Sequence, residues 1–216
     1  TFQPRNYCVQ YRETDFNFIC RLMEEEGIWW HFEQTQDGHV FVAADSISGY
    51  QSLKDDANLR YQPPTGLNVE EEHVFRFRRS RTVRPGAVVL RDFNFENPTL
   101  DLEVRSDCQR DTGLEFSDYP GEYGQQDVGS ELARIRAEEF EAGRTLAIGQ
   151  SNSPRLSPAR VFELTHHPSD ACNDKYLITS VVHQGKQSTT RTTAGSNGRH
   201  GPLDARVHQS LVAARQ

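Results

Sequence analysis

The stretch YCVQYRETDFNFICRLMEEEGIWWHFE, from Tyr7 to Glu33, contains the strongest structural signals in the chain. Residues Tyr7 to Arg12 alternate between apolar and polar side chains, which is the pattern of a half-buried strand. Thr14 is a typical N-cap because its hydroxyl can accept a hydrogen bond from a free amide of the first helical turn. Gly27 can adopt the left-handed conformation that ends a helix. The stretch therefore predicts a strand, a helix over residues 14–26 and the start of a β-hairpin.

The predicted helix has one apolar face, and the chain after it forms a hairpin. The residues of that face recur at helical spacing: Phe18, Ile19, Leu22 and Met23. The first hairpin strand continues to Glu33, QTQDG makes the turn, and HVFVAAD from His39 to Asp45 returns as the second strand. We expect the apolar helix face to pack against this hairpin, so that the three elements form one compact unit.

Three consecutive glutamates, Glu24, Glu25 and Glu26, precede two tryptophans and a histidine. Paired carboxylates beside aromatic rings can bind sugars or act as an acid and a base. However, consecutive helical residues point about 100° apart, so three adjacent glutamates do not converge on one point. We therefore interpret the three glutamates as a solvated helix end.

The same stretch resembles the signature of the VgrG family, the spike proteins of type VI secretion machines. The resemblance is to the part of these proteins that is similar to the baseplate hubs of contractile phage tails. It rests on VQYRE, D-F-x-F, RLMEEEGI and the aromatic run after Gly27. Later segments agree with it: DFNFENP (residues 92–98), DYPGEYG (118–124), RIRAEEFEA (134–142) and YLITSVVHQG (176–185). It extends from Phe2 to about Lys186, and departs at LSPA (156–159), where the family usually has a proline–glycine turn.

Runs of short strands with two short helices predict an α+β fold that is predominantly antiparallel β. The resemblance implies phage hub-like barrel domains and a homotrimeric hub of the puncturing spike. Such a hub would cap the Hcp tube hexamer, contact baseplate proteins and carry spike-tip, effector or adaptor proteins. It would be assembled in the bacterial cytoplasm, secreted, and delivered into target cells. The alternative with the same fold is the baseplate hub of a phage or phage-derived contractile particle.

The sequence predicts three regions: a helix-plus-hairpin unit at 1–68, a second barrel-like domain at 69–185 and a linker-like tail at 186–216. Within the second region, strands are expected at 74–79, 87–95, 100–104, 161–168 and 175–184, and the polar stretch 108–129 reads as a long connection. Strands from 70 to 105 together with those from 160 to 184 suit a small barrel. A second helix is expected to be capped by Ser130 and to end at Gly143. The end of the tail, DARVHQSLVAARQ, has weak helical periodicity.

Composition excludes several classes of protein. The 216 residues carry a formal charge of −7, which argues against general binding of nucleic acid. The start, TFQPRNY, lacks the features of a signal peptide, and Tyr7–Arg12 has no strand before it to pair with, so we expect a preceding segment in the whole protein. The four cysteines, Cys8, Cys20, Cys108 and Cys172, lack the spacing of a zinc site and are expected to be buried thiols.

Five arginines form the one basic cluster: Arg76, Arg78, Arg79, Arg81 and Arg84. One interpretation is a solvated strand face that pairs with the nearby glutamates, Glu70 to Glu72. The other is a contact with an acidic partner subunit. We favour the first, because charge runs are usually solvated faces.

The sequence contains no recognisable nucleophile–base or metal motif, such as G-x-S-x-G, a Cys/His pair or H-E-x-x-H. The most enzyme-like residues are Glu25 and His167, and a glycan-cleaving tail enzyme is the weaker alternative function. His166, His167 and His183 could meet across a hairpin, but adjacent strand residues face opposite sides. We therefore expect no enzyme activity and no catalytic, cofactor or metal site.

Overall fold

A computed structural model describes residues 4–5, 7–64 and 71–185, and the backbone of residues 208–215. By their contacts the residues form two compact units: Thr1–Gly49 with Arg81–Thr145, and Tyr50–Ser80 with Leu146–Gln216. Both units are therefore built from two separate pieces of chain. The domain boundaries predicted after residues 68 and 185 stay predictions. Within the described part of the chain, neither helix has the length and apolar character needed to span a membrane.

The described elements comprise two α-helices and twelve strands, with two short 3-10 turns. The helices are α1 (Asp15–Glu25) and α2 (Gln126–Ala142). The first six strands are β1 (Trp29–Gln34), β2 (His39–Ala44), β3 (Gln51–Ser52), β4 (Asn58–Tyr61), β5 (His73–Arg81) and β6 (Ala87–Leu90). The other six are β7 (Val104–Asp107), β8 (Glu115–Asp118), β9 (Thr145–Ser151), β10 (Arg160–Thr165), β11 (Lys175–Gln184) and β12 (His208–Arg215). The α+β class is thus confirmed.

In the first unit, the helix and hairpin predicted from the opening stretch are confirmed. The Thr14 hydroxyl accepts a hydrogen bond from the amide of Asn17 at 3.2 Å, which caps α1. Gly27 has φ +70, the left-handed conformation that ends the helix. β1 and β2 pair antiparallel, with Trp29 opposite Ala44 and Gln34 opposite His39. The local signals in this stretch therefore fold as expected.

One expectation for the same stretch is wrong, and a second is only partly met. Residues 7–11 form no strand, and their apolar side chains are exposed, because no described strand pairs with them. The expected apolar face of α1 is only half covered: no residue of α1 is buried, and Ile19 keeps 48% of its surface exposed. The helix touches the hairpin through Phe16, whose ring meets Trp30 edge-on at 5.2 Å.

The second unit contains a closed circuit of strands. In the order β11–β12–β9–β5–β4–β10, each strand pairs with the next, and β10 pairs again with β11. β3 adds to β10 on the edge where β4 also lies. The apolar side chains of β4, β10 and β11 form the core, with Leu59, Phe162, Leu164, Tyr176 and Ile178 almost fully buried. This is a small barrel that contains β5, β10 and β11 from the predicted ranges and adds β4, β9 and β12.

The predicted barrel is wrong in one part, because β6 and β7 belong to a separate three-stranded sheet of the first unit, ordered β7–β6–β8. Both large sheets are mixed. β10 pairs antiparallel with β11 but parallel with β4, and β6 pairs antiparallel with β7 but parallel with β8. The prediction of predominantly antiparallel pairing is therefore only partly supported. The sequence could not distinguish the two directions, because alternation of side chains carries no information about strand direction.

The three-stranded sheet packs on α2 around Tyr123. The Tyr123 hydroxyl lies 2.9 Å from the carbonyl oxygen of Leu90 and also contacts that of Leu102. Burial raises the pKa of Tyr123 above its ordinary value, so the hydroxyl keeps its proton as a donor. The buried face of α2 consists of the small residues Gly129, Ala133 and Ala137, which let the helix approach the sheet closely. This compact layer positions the loops described below.

Several predicted bounds of helices and strands in the first unit are wrong. The strand expected at 87–95 ends at Leu90, because the Asp92 carboxylate accepts the amide of Phe93 and turns the chain. The third strand begins at Val104 rather than Leu100, and the stretch read as a connection contains β8. α2 begins at Gln126, so Ser130 lies inside the helix, where its hydroxyl donates to the Gln126 carbonyl at 2.8 Å. The expected end at Gly143 is confirmed.

The turn at Leu156–Ala159 and the tail also differ from expectation. Ala159 takes φ +61, the left-handed conformation that favours the glycine usual in the related family. Residues 208–215 form β12 between β11 and β9, so the helical periodicity noted there does not give a helix. The rest of the tail, 186–207 and 216, lies outside the described residues.

Candidate interaction surfaces

The basic cluster of the sequence does not form one paired face. Arg76 and Arg78 are exposed on β5, and neither forms an ion pair with any residue that the structure describes. The expected pairing with Glu70 to Glu72 is not observed for the described glutamates. Glu72 instead accepts hydrogen bonds from Ser153 at 2.6 Å and Arg155 at 2.7 Å. We call the pair Arg76 and Arg78 the arginine row.

The other three arginines of the cluster lie elsewhere. Arg79 is half-buried and donates to the carbonyl oxygen of Ala171. Arg81 and Arg84 are exposed and belong to the first unit. The arginine row is therefore the exposed, uncompensated part of the cluster in the barrel unit.

A second surface lies where two loops leave the three-stranded sheet. Because β6 and β8 are parallel, the segments that follow Leu90 and Asp118 emerge at the same edge of the sheet. Their side chains are aromatic and acidic, and we call them the acidic aromatic corner: Asp92, Phe93, Phe95, Glu96, Tyr119 and Glu122. Phe93, Phe95 and Tyr119 expose 57%, 80% and 63% of their surfaces. Exposed aromatic side chains grouped in this way are typical of protein-binding surfaces.

Hydrogen bonds fix the conformation of this corner. The second carboxylate oxygen of Asp92 accepts the amide of Tyr123 at 3.2 Å, which ties the first loop to the second. The Asn94 side chain accepts the amides of Glu96 and Asn97 at 2.9 and 3.1 Å. Gly121 donates to the Arg91 carbonyl at 3.0 Å. The aromatic rings are thus held outward by an ordered backbone, which lowers the entropy cost of binding.

A shallow groove of about 410 Å³ lies on the open face of the same sheet. It is lined by Val89, Arg91, Glu103, Arg105, Glu115, Ser117, Asp118 and Tyr119. Arg91 pairs with Glu103, and Arg105 pairs with Glu115 and Asp107, so the charges in the groove compensate one another. A hydrogen bond from Ser117, followed by one from Arg105, lowers the pKa of Glu115. The groove therefore presents a polar surface whose charged side chains are paired with one another.

A third surface is the aromatic face of the β1–β2 hairpin. Trp30 lies within 5.9 Å, centroid to centroid, of Phe16, Phe32 and Phe41. Phe16, Phe32 and Phe41 are all exposed by more than a third of their surface. This cluster was visible in the sequence as an alternating pattern, but its exposure depends on what covers the hairpin and could not be predicted.

The enzyme-like residues of the sequence each have structural contacts within their own unit. Glu25 and Glu26 pair with Arg5, so the glutamate run forms surface ion pairs. The ring of His167 packs beside Tyr61, with centroids 4.4 Å apart, and its Nδ1 accepts the Ser169 amide at 3.1 Å. In the described part of the chain, no three His, Cys, Asp or Glu side chains are arranged to hold a metal ion.

The four cysteines are free thiols. Cys172 is buried and Cys108 is half-buried, whereas Cys8 is exposed, so the expectation of buried thiols is wrong for Cys8. Burial raises the pKa of Cys108, and the nearby Glu141 carboxylate raises it further, which keeps this thiol protonated and unreactive.

The backbone of His166 lies in the left-handed region, and its ring Nδ1 lies 3.1 Å from the Thr165 hydroxyl oxygen. It is exposed and has φ +62, a conformation that costs energy for most side chains and little for glycine. His166→Gly is expected to leave stability unchanged or raise it by about 0.5 kcal/mol, whereas the β-branched His166→Val should lower it by about 1–2 kcal/mol. Thermal unfolding of the two variants measures this difference. A stable valine variant would contradict the assigned backbone conformation.

Residues 1–189 match the sequence profile of the phage tail baseplate hub family (GPD), and the chain belongs to this family. Among characterised proteins it is similar to two type VI secretion system spike proteins of Pseudomonas aeruginosa. It is 36% identical to VgrG1a over 200 residues and 34% identical to VgrG1b over 201 residues. These alignments cover 91% and 92% of this chain but 31% and 27% of the relatives, so the chain spans less than a third of their length. The resemblance expected from the opening stretch is confirmed.

Solved structures agree on the fold. The E. coli c3393 protein, described as a component of the type VI secretion system with similarity to T4 tail proteins gp27 and gp5, superposes with a TM-score of 0.55. It is 20% identical to this chain, and the match covers 96% of this chain and 38% of that one. A tail protein of Neisseria meningitidis gives a TM-score of 0.57 at 9% identity, covering 96% of this chain and 56% of that one. At these identities the comparisons establish the fold alone.

Proposed function

We propose that this chain is the hub-like region of a structural spike protein in a type VI secretion machine. The observation that carries the proposal is the similarity to two spike proteins over nine tenths of the chain, together with membership of the baseplate hub family. In this role three copies form a homotrimer that caps the Hcp tube hexamer and contacts baseplate, spike-tip and effector or adaptor proteins. The protein is assembled in the bacterial cytoplasm, then secreted and delivered into target cells.

The surfaces of the chain support a role in assembly. Three exposed features have the character of protein contacts: the arginine row, the acidic aromatic corner and the aromatic face of the hairpin. By contrast, the residues with catalytic potential are engaged in ion pairs or packing, as with Glu25 and His167. We therefore propose that the chain is not an enzyme and requires no metal or cofactor.

The first alternative is a baseplate hub of a phage or phage-derived contractile particle. It shares the fold, and a tail protein of prophage MuSo2 from Shewanella oneidensis superposes with a TM-score of 0.56 at 11% identity. A glycan-cleaving tail enzyme is the weaker alternative. An activity in a related protein does not transfer to this chain: the actin cross-linking toxin VgrG1 of Vibrio cholerae is 27% identical, and the match covers only 18% of that protein.

Export of Hcp tests the proposal directly. Deletion of the gene that carries this chain is expected to reduce Hcp in the culture medium to background, because a tube without its spike is not fired. Complementation with the unaltered gene should restore export. Complementation with Glu25→Gln or His167→Gln should restore it equally, because neither residue performs chemistry in the proposed role.

Two results would contradict the proposal. Unchanged Hcp export after deletion, with this protein instead recovered in phage-like particles, would support the phage-derived hub. Release of sugars from purified peptidoglycan by the chain, lost in Glu25→Gln, would support the enzyme.

A further inference from the structure

We propose that the acidic aromatic corner of one copy binds the arginine row of the next copy. The inference rests on the proposed function in one respect, the assembly of identical chains into a ring. The new element is the pair of surfaces that meet in that ring. Both surfaces carry charged residues, so the contact can be tested by reversing their charges.

The arginine row needs a partner with negative charge. Arg76 and Arg78 are exposed and two residues apart on one strand, so their side chains lie on the same face about 7 Å apart. Neither arginine of the row forms an ion pair with a carboxylate of the described residues. An arginine guanidinium presents a planar fork that pairs with carboxylates and stacks on aromatic rings. The fitting partner is thus a surface with both carboxylates and exposed rings.

The acidic aromatic corner has this composition. Glu96 and Glu122 are exposed and form no ion pair within the described part of the chain. The two loops that carry them are joined by the bond from the Asn94 side chain to the Gly124 carbonyl at 3.4 Å. Exposed rings of Phe93, Phe95 and Tyr119 lie on the same loops. The ionisable carboxylates of the corner are Asp92, Glu96 and Glu122, and the corner as defined contains no lysine or arginine, so its charge complements that of the arginine row.

A contact between these two surfaces has a defined symmetry. The surfaces are different patches of one chain, so the contact is heterologous, and such contacts generate a closed ring where the rotation between copies permits. In a closed ring, the corner and the row of every copy are both occupied by neighbouring copies. Charge complementarity favours a second copy of this chain over an unrelated occupant, because both partners are present on the chain itself.

The test is a set of charge reversals in the full chain, followed by sedimentation velocity over a concentration series. Arg76→Glu with Arg78→Glu reverses the row, and Glu96→Arg with Glu122→Arg reverses the corner. Each pair is expected to weaken self-association at low salt at least about tenfold. A chain carrying all four changes should recover to within about threefold of the original, because attraction is restored at every contact.

A matched control changes the charge without touching either patch. Glu24→Arg with Asp37→Arg makes the same two reversals at exposed positions that lack ion pairs within the described residues, and should leave association unchanged. Thermal unfolding of each variant confirms that it remains folded. Raising the salt from about 0.05 M to 0.5 M should weaken the original chain and reduce the differences among variants, because screening shortens the range of charge interactions.

Three outcomes overturn the inference: association that neither reversal changes, no recovery in the fourfold variant, or a chain that stays monomeric at high concentration. None of these three outcomes changes the result expected in the Hcp export experiment. If deletion abolishes Hcp export while the reversals leave association intact, the proposed function stands and the assigned contact is wrong. If export is unaffected by deletion, the proposed function fails whatever the reversals do.

Discussion

Gly86→Ala is expected to destabilise the first unit by about 3–4 kcal/mol, because the position has no room for a methyl group. Gly86 directly precedes β6, the central strand of the three-stranded sheet. Its amide donates to the Leu114 carbonyl at 2.8 Å, and its carbonyl accepts the Cys108 amide at 2.8 Å. An alanine Cβ would lie well under 3.0 Å from the Arg110 carbonyl and the backbone of Asp111. These atoms belong to the main chain, so no rotation of a side chain relieves the clash.

Thermal unfolding followed by circular dichroism measures this effect, and a fall in Tm of roughly 10 °C is expected for a chain of this size. Gly113→Ala is the matched control, since a Cβ at Gly113 meets nothing within 4 Å. If the two variants unfolded at the same temperature, the close approach of the 110–111 backbone to Gly86 would be wrong.

Phe162→Ala is expected to cost about 3–5 kcal/mol in the barrel unit. Phe162 is fully buried, and its ring stacks on that of Tyr176 with centroids 5.8 Å apart. The Tyr176 hydroxyl donates to the Cys172 carbonyl at 2.9 Å, which holds that ring in place. Because Tyr176 is fixed, it cannot move into the space that alanine leaves, and the cavity persists.

The comparison is with Tyr7→Ala, which truncates an aromatic residue that is 85% exposed and should change stability by less than about 0.5 kcal/mol. Urea unfolding of both variants distinguishes buried from exposed rings. Equal midpoints for the two would show that the barrel core does not close around Phe162.

The elements that the sequence predicted well are those whose signals are local. α1 was found because Thr14 and Gly27 mark its two ends, and each acts through bonds within a few residues. β10 and β11 were found because their apolar residues alternate within a single run. In such cases the residues that determine the element are also the residues that form it.

The elements that were missed depend on distant parts of the chain. The segment Tyr7–Arg12 alternates like a strand but has no described neighbour, and alternation alone does not supply one. β8 has the polar sequence EFSD, and only its pairing with β6 makes it a strand. The acidic aromatic corner was not predicted for the same reason: its two loops are adjacent because β6 and β8 run parallel, which no local pattern encodes.

The interleaving of the two units has a consequence for synthesis. β4 and β5 leave the ribosome early, but their circuit closes only after β12 is made, since β12 lies between β11 and β9. At about 5–20 residues per second, the interval between Ser80 and His208 is on the order of 10 s. During it the nascent barrel has unpaired strand edges while residues 81–145 emerge and form their own sheet. The exposed arginines of β5 give its unpaired edge a positive charge, which disfavours pairing of β5 with the same strand of another nascent chain.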